Sequence, residues 1–143
     1  LPSGVNHLRI GEGIFLGRET LAGSFLPELF QDAFVVEAEV IEAQWKPAEP
    51  DGEIGLDAFG RKPDMPKVEA GMRFLLNLGH QDTPLSGLTP MNPTLTVMGG
   101  SSDYLVMAAQ SSIKVGEVIR FLPNYWSLLG LMTSPYVAKV YVG

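Results

Sequence analysis

Two histidines, a scatter of single carboxylates and five lysines are the side chains in this sequence that could move a proton, hold a metal or bond covalently to a carbonyl. His7 and His80 stand 73 positions apart, and no carboxylate pattern near either one spells a metal site. Asp57 and Asp103 each fall near the end of an apolar run. A carboxylate in that position either closes a turn or faces a ligand. There is no cysteine, which excludes disulfide scaffolds and thiolate metal sites. Gly11-Glu12-Gly13 falls short of a full dinucleotide fingerprint, and no Walker-type loop is present. From residue types and spacing alone, no catalytic constellation emerges.

The elements that would position these groups are mostly strands. In residues 33–45, Val36, Ala38 and Val40 alternate with Glu37 and Glu39, the period of a half-buried strand. Ile41-Glu42 breaks the phase and predicts a bulge. Residues 53–59, 72–78, 94–98, 103–108, 118–121 and 137–142 read as further short strands, separated by Gly/Pro turns. Residues 8–17 (LRIGEGIFLG) read as a strand followed by a tight turn, residues 18–21 as the start of a helical turn, and residues 24–32 as a linker. The one clear helix is expected over 125–132, with Asn124 as N-cap and Gly130 weakening its end. Eight or so short strands between tight turns predict a mainly β, antiparallel barrel or sandwich.

The 143 residues fit one domain, and 45% hydrophobic content is enough for a sizeable core. A net charge of −6 argues against a nucleic-acid surface, which needs a basic face. No apolar run approaches the roughly 20 residues of a membrane span. The lack of cysteine and of a signal-like segment fits a cytoplasmic location, and a chain that opens on Leu1 suits a fragment or a processed product.

Three patches carry a resemblance. LRIGEGIFLG (8–17) resembles the last strand of the cofactor barrel in enzymes of the alanine racemase fold. GSSDYLVM (100–107) resembles the family's Ser-Met-Asp patch, with Ser102 where methionine is usual. NYWSLLGLMTSPYVAKVYV (124–142) resembles its final helix and strand, which an Asn-Tyr pair opens. The block GEIGLDAFG (52–60), with QDAFVVEAEVIE upstream, is closer to the ornithine racemase-like branch.

The resemblance implies the C-terminal part of a pyridoxal 5′-phosphate-dependent amino-acid racemase. Residues 1–23 would be the end of the cofactor-binding βα barrel, and residues 24–143 the C-terminal β-domain. Arg9 would face the pyridine nitrogen. Gly11 and Glu12 would offer backbone N–H groups to the phosphate, and the Tyr125 hydroxyl would bind it as well. Asp103 and Tyr104 would lie in the patch that a partner subunit inserts into the active site. The implied partners are an amino-acid substrate (ornithine or another basic amino acid), an N-terminal βα-barrel domain and a second subunit. The lysine that carries the cofactor lies in the barrel in this family. None of Lys46, Lys62, Lys67, Lys114 and Lys139 has a matching context, so the chain alone is expected to be inactive.

In one respect the sequence departs from the family. Alanine racemases carry a catalytic tyrosine in Gly-Tyr-Ala-Asp-Gly, and the matching stretch here, GLDAFG (55–60), has Leu56 in that place. Asp57 is the nearest ionisable group and the candidate second base, with a structural turn carboxylate as the alternative. Two other functions compete. A D-threonine aldolase-like lyase of the same fold would bind a metal stoichiometrically. A non-catalytic β-barrel interaction module would be a stable monomer with no affinity for a barrel partner. For the racemase, Asp57→Asn in the full-length protein is expected to leave cofactor absorbance intact and to slow racemisation by roughly 10²–10⁴. Deuterium exchange should then fail mainly from one enantiomer. Wild-type exchange from both would make Asp57 a turn residue.

Overall fold

The computed structural model describes residues 2–142 except 50, 51, 54, 57–59, 61 and 63–65. The chain divides into two compact units, Leu1–Val35 and Val36–Gly143.

In the first unit, residues 8–11 form no strand, and Glu12–Leu16 is a short helix, α1. A lone β-segment leaves its N–H and C=O groups unpaired, whereas a helical turn satisfies them locally. Here the N–H groups of Ile14 and Phe15 donate to the Gly11 carbonyl. The expected helical turn at 18–21 is instead a loop folded around one side chain. The Glu19 carboxylate accepts N–H bonds from Leu21, Ala22 and Ser24 at 2.7–3.0 Å. Those bonds, the one from Ser24 foremost, hold its carboxyl below the usual glutamate value. Arg18 and Phe25 close the base of this loop through a β-bridge, and the guanidinium lies 4.5 Å from the ring centroid.

The second unit is a six-stranded antiparallel sheet. Its strands are β1 (Val36–Lys46), β2 (Gly71–Leu76), β3 (Leu88–Pro90), β4 (Thr96–Gly100), β5 (Leu105–Ala109) and β6 (Val118–Pro123), in the order β3-β6-β1-β2-β5-β4. The sheet curls into a nearly closed barrel. β1 makes the curl possible by serving two neighbours in turn: residues 36–39 pair with β6 and residues 40–46 with β2. The register shifts between Val40 and Glu42, which places a bulge at Ile41 as the broken alternation predicts. Neighbouring chain covers the irregularity. The N–H and C=O of Val40 bond to Glu117 and Gly116, and Asn77 bonds to both the N–H and the C=O of Glu39.

The register aligns one apolar face. Val36 lies opposite Phe121, Ala38 opposite Ile119, Val40 opposite Leu76, Leu76 opposite Leu105, and Phe74 opposite Met107. All are buried, in a single core that also takes in Leu85, Leu95 and Leu131. On the outer face the paired Glu37 and Arg120 form an exposed ion pair at 2.8 Å, worth at most about 1 kcal/mol.

Helix α2 (Tyr125–Thr133) begins where expected, and the Asn124 side chain accepts from the Ser127 N–H at 2.9 Å. Gly130 does not end it. The helix continues to Thr133, with Gly130 lying against Asp82 and Thr83. Residues 137–142 form no strand, and Val140, Tyr141 and Val142 are exposed: β-propensity without a neighbouring ladder leaves the backbone unpaired. The expected strand at 53–59 falls partly outside the described residues, and Glu53, Gly55 and Leu56 are not in a strand. β3 was not expected, because Pro90 reads as a loop. It lies at the sheet edge, where a missing N–H is tolerated.

The two kinds of apolar position should respond differently to substitution. Phe121 is fully buried, and Phe121→Ala is expected to cost about 3–5 kcal/mol. Ile41, at the bulge and 40% exposed, should tolerate Thr at a cost below about 1 kcal/mol. Urea unfolding of both variants checks the contrast, and equal losses would place Ile41 in the core.

Candidate functional site

The residues singled out in the sequence fall into three groups. Arg9, Gly11 and Glu12 belong to the first unit. Arg9 is exposed in irregular chain, Gly11 precedes α1, and Glu12 is its first residue. Asp103, Tyr104 and Tyr125 belong to the second unit. Asp57 lies outside the described residues.

The Asp103-Tyr104 turn and the helix that begins at Tyr125 are both fastened to the segment 79–87. On one side of that segment, the N–H groups of His80 and Gln81 donate to the carbonyls of Ser101 and Ser102, each at 3.0 Å. Gly79 makes the approach possible, since a Cβ there would stand 2.1 Å from the Ser102 oxygen. Within the turn, Ser101 Oγ accepts from the N–H groups of Asp103 and Tyr104, and the Ser101 N–H donates to the Tyr104 carbonyl. Asp103 is exposed, and one of its carboxylate oxygens accepts from Ser102 Oγ at 2.7 Å.

On the other side, segment and helix share a buried polar seam. Thr83 Oγ1 donates to the Ser127 carbonyl at 3.0 Å, and Ser127 Oγ donates to the Pro84 carbonyl at 2.7 Å. Asn124 N–H donates to the Gly87 carbonyl at 2.8 Å. A Cβ on Gly87 would stand 2.1 Å from Ser127 Oγ, so only glycine lets the helix start lie this close. The far end of the helix is held by Asp82. One of its oxygens accepts from Ser134 Oγ at 2.8 Å and the other from the Gly79 N–H at 3.3 Å. Asp82, Thr83, Ser127 and Ser134 are the buried polar residues of this seam, and no buried side-chain polar atom among the described residues lacks a partner.

Sequence reading took Gly79–Asp82 for a plain turn and missed this seam. The signal was slight: one serine amid the apolar helix WSLLGLM, and one acid between two apolar strands. An open cleft of about 290 Å³ runs along the seam, lined by His80, Asp82, Thr83, Gly130 and Thr133 among others. Tyr125 is 48% exposed. Of the first-turn N–H groups, that of Ser127 is taken by the Asn124 cap, and those of Tyr125 and Trp126 have no intrahelical partner. The start of α2 therefore offers hydrogen-bond donors and the positive end of a helix dipole. Among the described residues, no three His, Asp or Glu side chains gather as a metal site would need, and no helix is long and apolar enough to cross a membrane.

Comparison with proteins of known function points to amino-acid racemases. The chain is 44% identical over 143 residues to the lysine racemase of Thermotoga maritima, a match that takes in 99% of this chain and 40% of that protein. It is 40% identical over 142 residues to the ornithine racemase of Acetoanaerobium sticklandii, covering 97% of this chain and 40% of that protein. The chain is thus homologous to lysine and ornithine racemases along nearly its whole length, and spans about two fifths of theirs. No family model matches the chain, and no solved structure matches it.

Because Asp82 holds two donors at once, Asp82→Ala leaves both the Gly79 N–H and the Ser134 hydroxyl without it. The expected loss is about 1–3 kcal/mol for each group left unsatisfied. Ser134→Ala removes one of these bonds and the acceptor of the more exposed Tyr136 N–H, but keeps the Gly79 bond to Asp82, and should cost less. Chemical denaturation of the two variants is the check, and an unchanged midpoint for Asp82→Ala would remove the seam from the account of stability.

Proposed function

We propose that this chain is the C-terminal part of a pyridoxal 5′-phosphate-dependent racemase acting on lysine or ornithine. The observation that carries the reading is the 40–44% identity, over almost the whole chain, to two racemases whose substrates are both basic amino acids. The full enzyme would add an N-terminal βα barrel bearing the cofactor lysine and would work as a homodimer, with the second unit of one subunit closing the active site of the other.

What this chain offers suits the cofactor's ends. The half-exposed phenol at the start of α2 could donate to a phosphate. Arg9 is exposed and permanently charged, and it would disfavour a proton on a neighbouring pyridine nitrogen. By the same family resemblance, the backbone N–H groups of Gly11 and Glu12 are assigned to phosphate binding. When bound, the cofactor supplies the electron sink that makes the substrate α-proton removable. The protein must then take that proton from one face and return one to the other. Asp57 is the group of this chain assigned to one of those transfers, in place of the tyrosine that Leu56 replaces. Asp103 and Tyr104, fixed by the segment 79–81, would line the substrate's entry.

The direct test is to assay the full-length protein on L-lysine and L-ornithine and resolve the products by chiral chromatography. Appearance of the D-enantiomers is expected, and their absence with both substrates would reject the reading. Tyr125→Phe should weaken cofactor binding by about 10- to 100-fold, the loss of one hydrogen bond to a charged group. Titration of the apoprotein with pyridoxal phosphate measures it, and an unchanged dissociation constant would remove Tyr125 from the phosphate site.

A further inference from the structure

A racemase for lysine or ornithine must hold an ammonium group at the far end of a flexible methylene chain. Water solvates that cation well, so a carboxylate already fixed in place is an effective way for a site to gain selectivity for it. The second unit has several carboxylates, and three of them are committed elsewhere. Glu37 is paired with Arg120 across the ladder, Glu117 accepts from the Lys114 N–H, and both oxygens of Asp82 are occupied in the buried seam. Asp103 differs. Its carboxylate is exposed, and among the described residues it makes no ion pair. One oxygen is held by Ser102 Oγ at 2.7 Å, and the other accepts from no described group.

Its backbone is fixed as well. The turn 101–104 carries its own hydrogen bonds through Ser101 and two more from the N–H groups of His80 and Gln81. The segment making those bonds is itself anchored by buried Asp82, Thr83 and Ser127. A carboxylate on so constrained a turn loses little freedom on binding a cation. Tyr104, next in the chain and 45% exposed, presents an aromatic surface suited to a methylene stem.

Ser102 adds a separate argument. The corresponding position in the alanine racemase pattern is methionine, which cannot donate a hydrogen bond to the neighbouring carboxylate. Here the serine hydroxyl does donate, and it orients Asp103.

Resting on the racemase reading above, we infer that Asp103 binds the side-chain ammonium of the substrate and that Ser102 is a positioning residue that aims it. Asp103 thereby sets the preference for basic over neutral amino acids.

The experiment uses the full-length protein loaded with pyridoxal phosphate. Racemisation of ornithine, lysine and norleucine is measured for wild type, Asp103→Asn and Ser102→Ala. Norleucine keeps the apolar stem and lacks the cation. Asp103→Asn is expected to lower kcat/KM for ornithine and lysine by about 10- to 100-fold, the range of one charge-assisted hydrogen bond lost. The loss should appear mainly in KM, with norleucine unchanged or improved. Ser102→Ala should give a smaller loss of the same kind, on the basic substrates only. An equal loss on all three substrates, or no loss on any, would overturn the role of Asp103 while leaving the racemase reading intact. A wild-type enzyme inactive on all three would overturn both. The thermal midpoint of Asp103→Asn should match wild type, because the side chain is exposed; a lower midpoint together with uniform losses would mark a structural turn residue.

Discussion

In the second unit, the helix α2 and the turn between β4 and β5 depend on how one buried acid is satisfied. A carboxylate removed from water is costly unless donors replace the solvent. Asp82 finds them in a backbone N–H three residues earlier and in a hydroxyl more than fifty residues later. Meeting that requirement ties the end of β2 to the end of α2. Thr83, Pro84 and Ser127 extend the tie to the start of the helix, and His80 and Gln81 extend it to the turn between β4 and β5. Two patches distant in sequence are thus referred to one rigid segment. Rigidity of this kind is what a binding site needs from its support.

The sheet supplies the platform for that segment. Because β1 changes partner part-way along, one strand joins the β3-β6 side to the β2-β5-β4 side, and the buried faces of both fall into one core. The bulge keeps the inward-facing residues in phase: Val36, Ala38 and Val40 face in before it, and Ala43 is the partly buried position after it. Without the extra residue, the second half of β1 would turn its other face to the core.

How much of this could be read from the sequence depended on whether the cause was local. The alternation in β1, its bulge and the Asn124 cap were all legible, because each is fixed by neighbours within a few residues. The strands expected at 8–17 and 137–142 had the right composition, but a strand exists only when another pairs with it, and composition does not name the partner. Pro90 concealed β3 for the opposite reason: the edge position that excuses a proline is a property of the sheet. In the site, the opening of α2 by Asn124 and Tyr125 was legible as a motif, whereas Asp103 and Tyr104, expected to begin a strand, lie in the turn before it. The Asp82 seam was not legible, since Gly79–Asp82 spells an ordinary turn until Ser134 is brought beside it.

The two-partner strand also bears on how the chain reaches this state. The β4–β5 hairpin joins Gly100 to Leu105, a short loop that closes at little entropic cost. The β1–β6 ladder joins Val36 to Phe121 and encloses most of the unit, including β2, β5 and the segment 79–87. Such a closure is rewarded only after the intervening chain has been gathered in, so contacts of this span slow folding. Until it forms, the apolar face of β1 and the facing residues of β6 lack their cover. The β1–β6 ladder is therefore the pairing that joins the two sides of the sheet into one barrel.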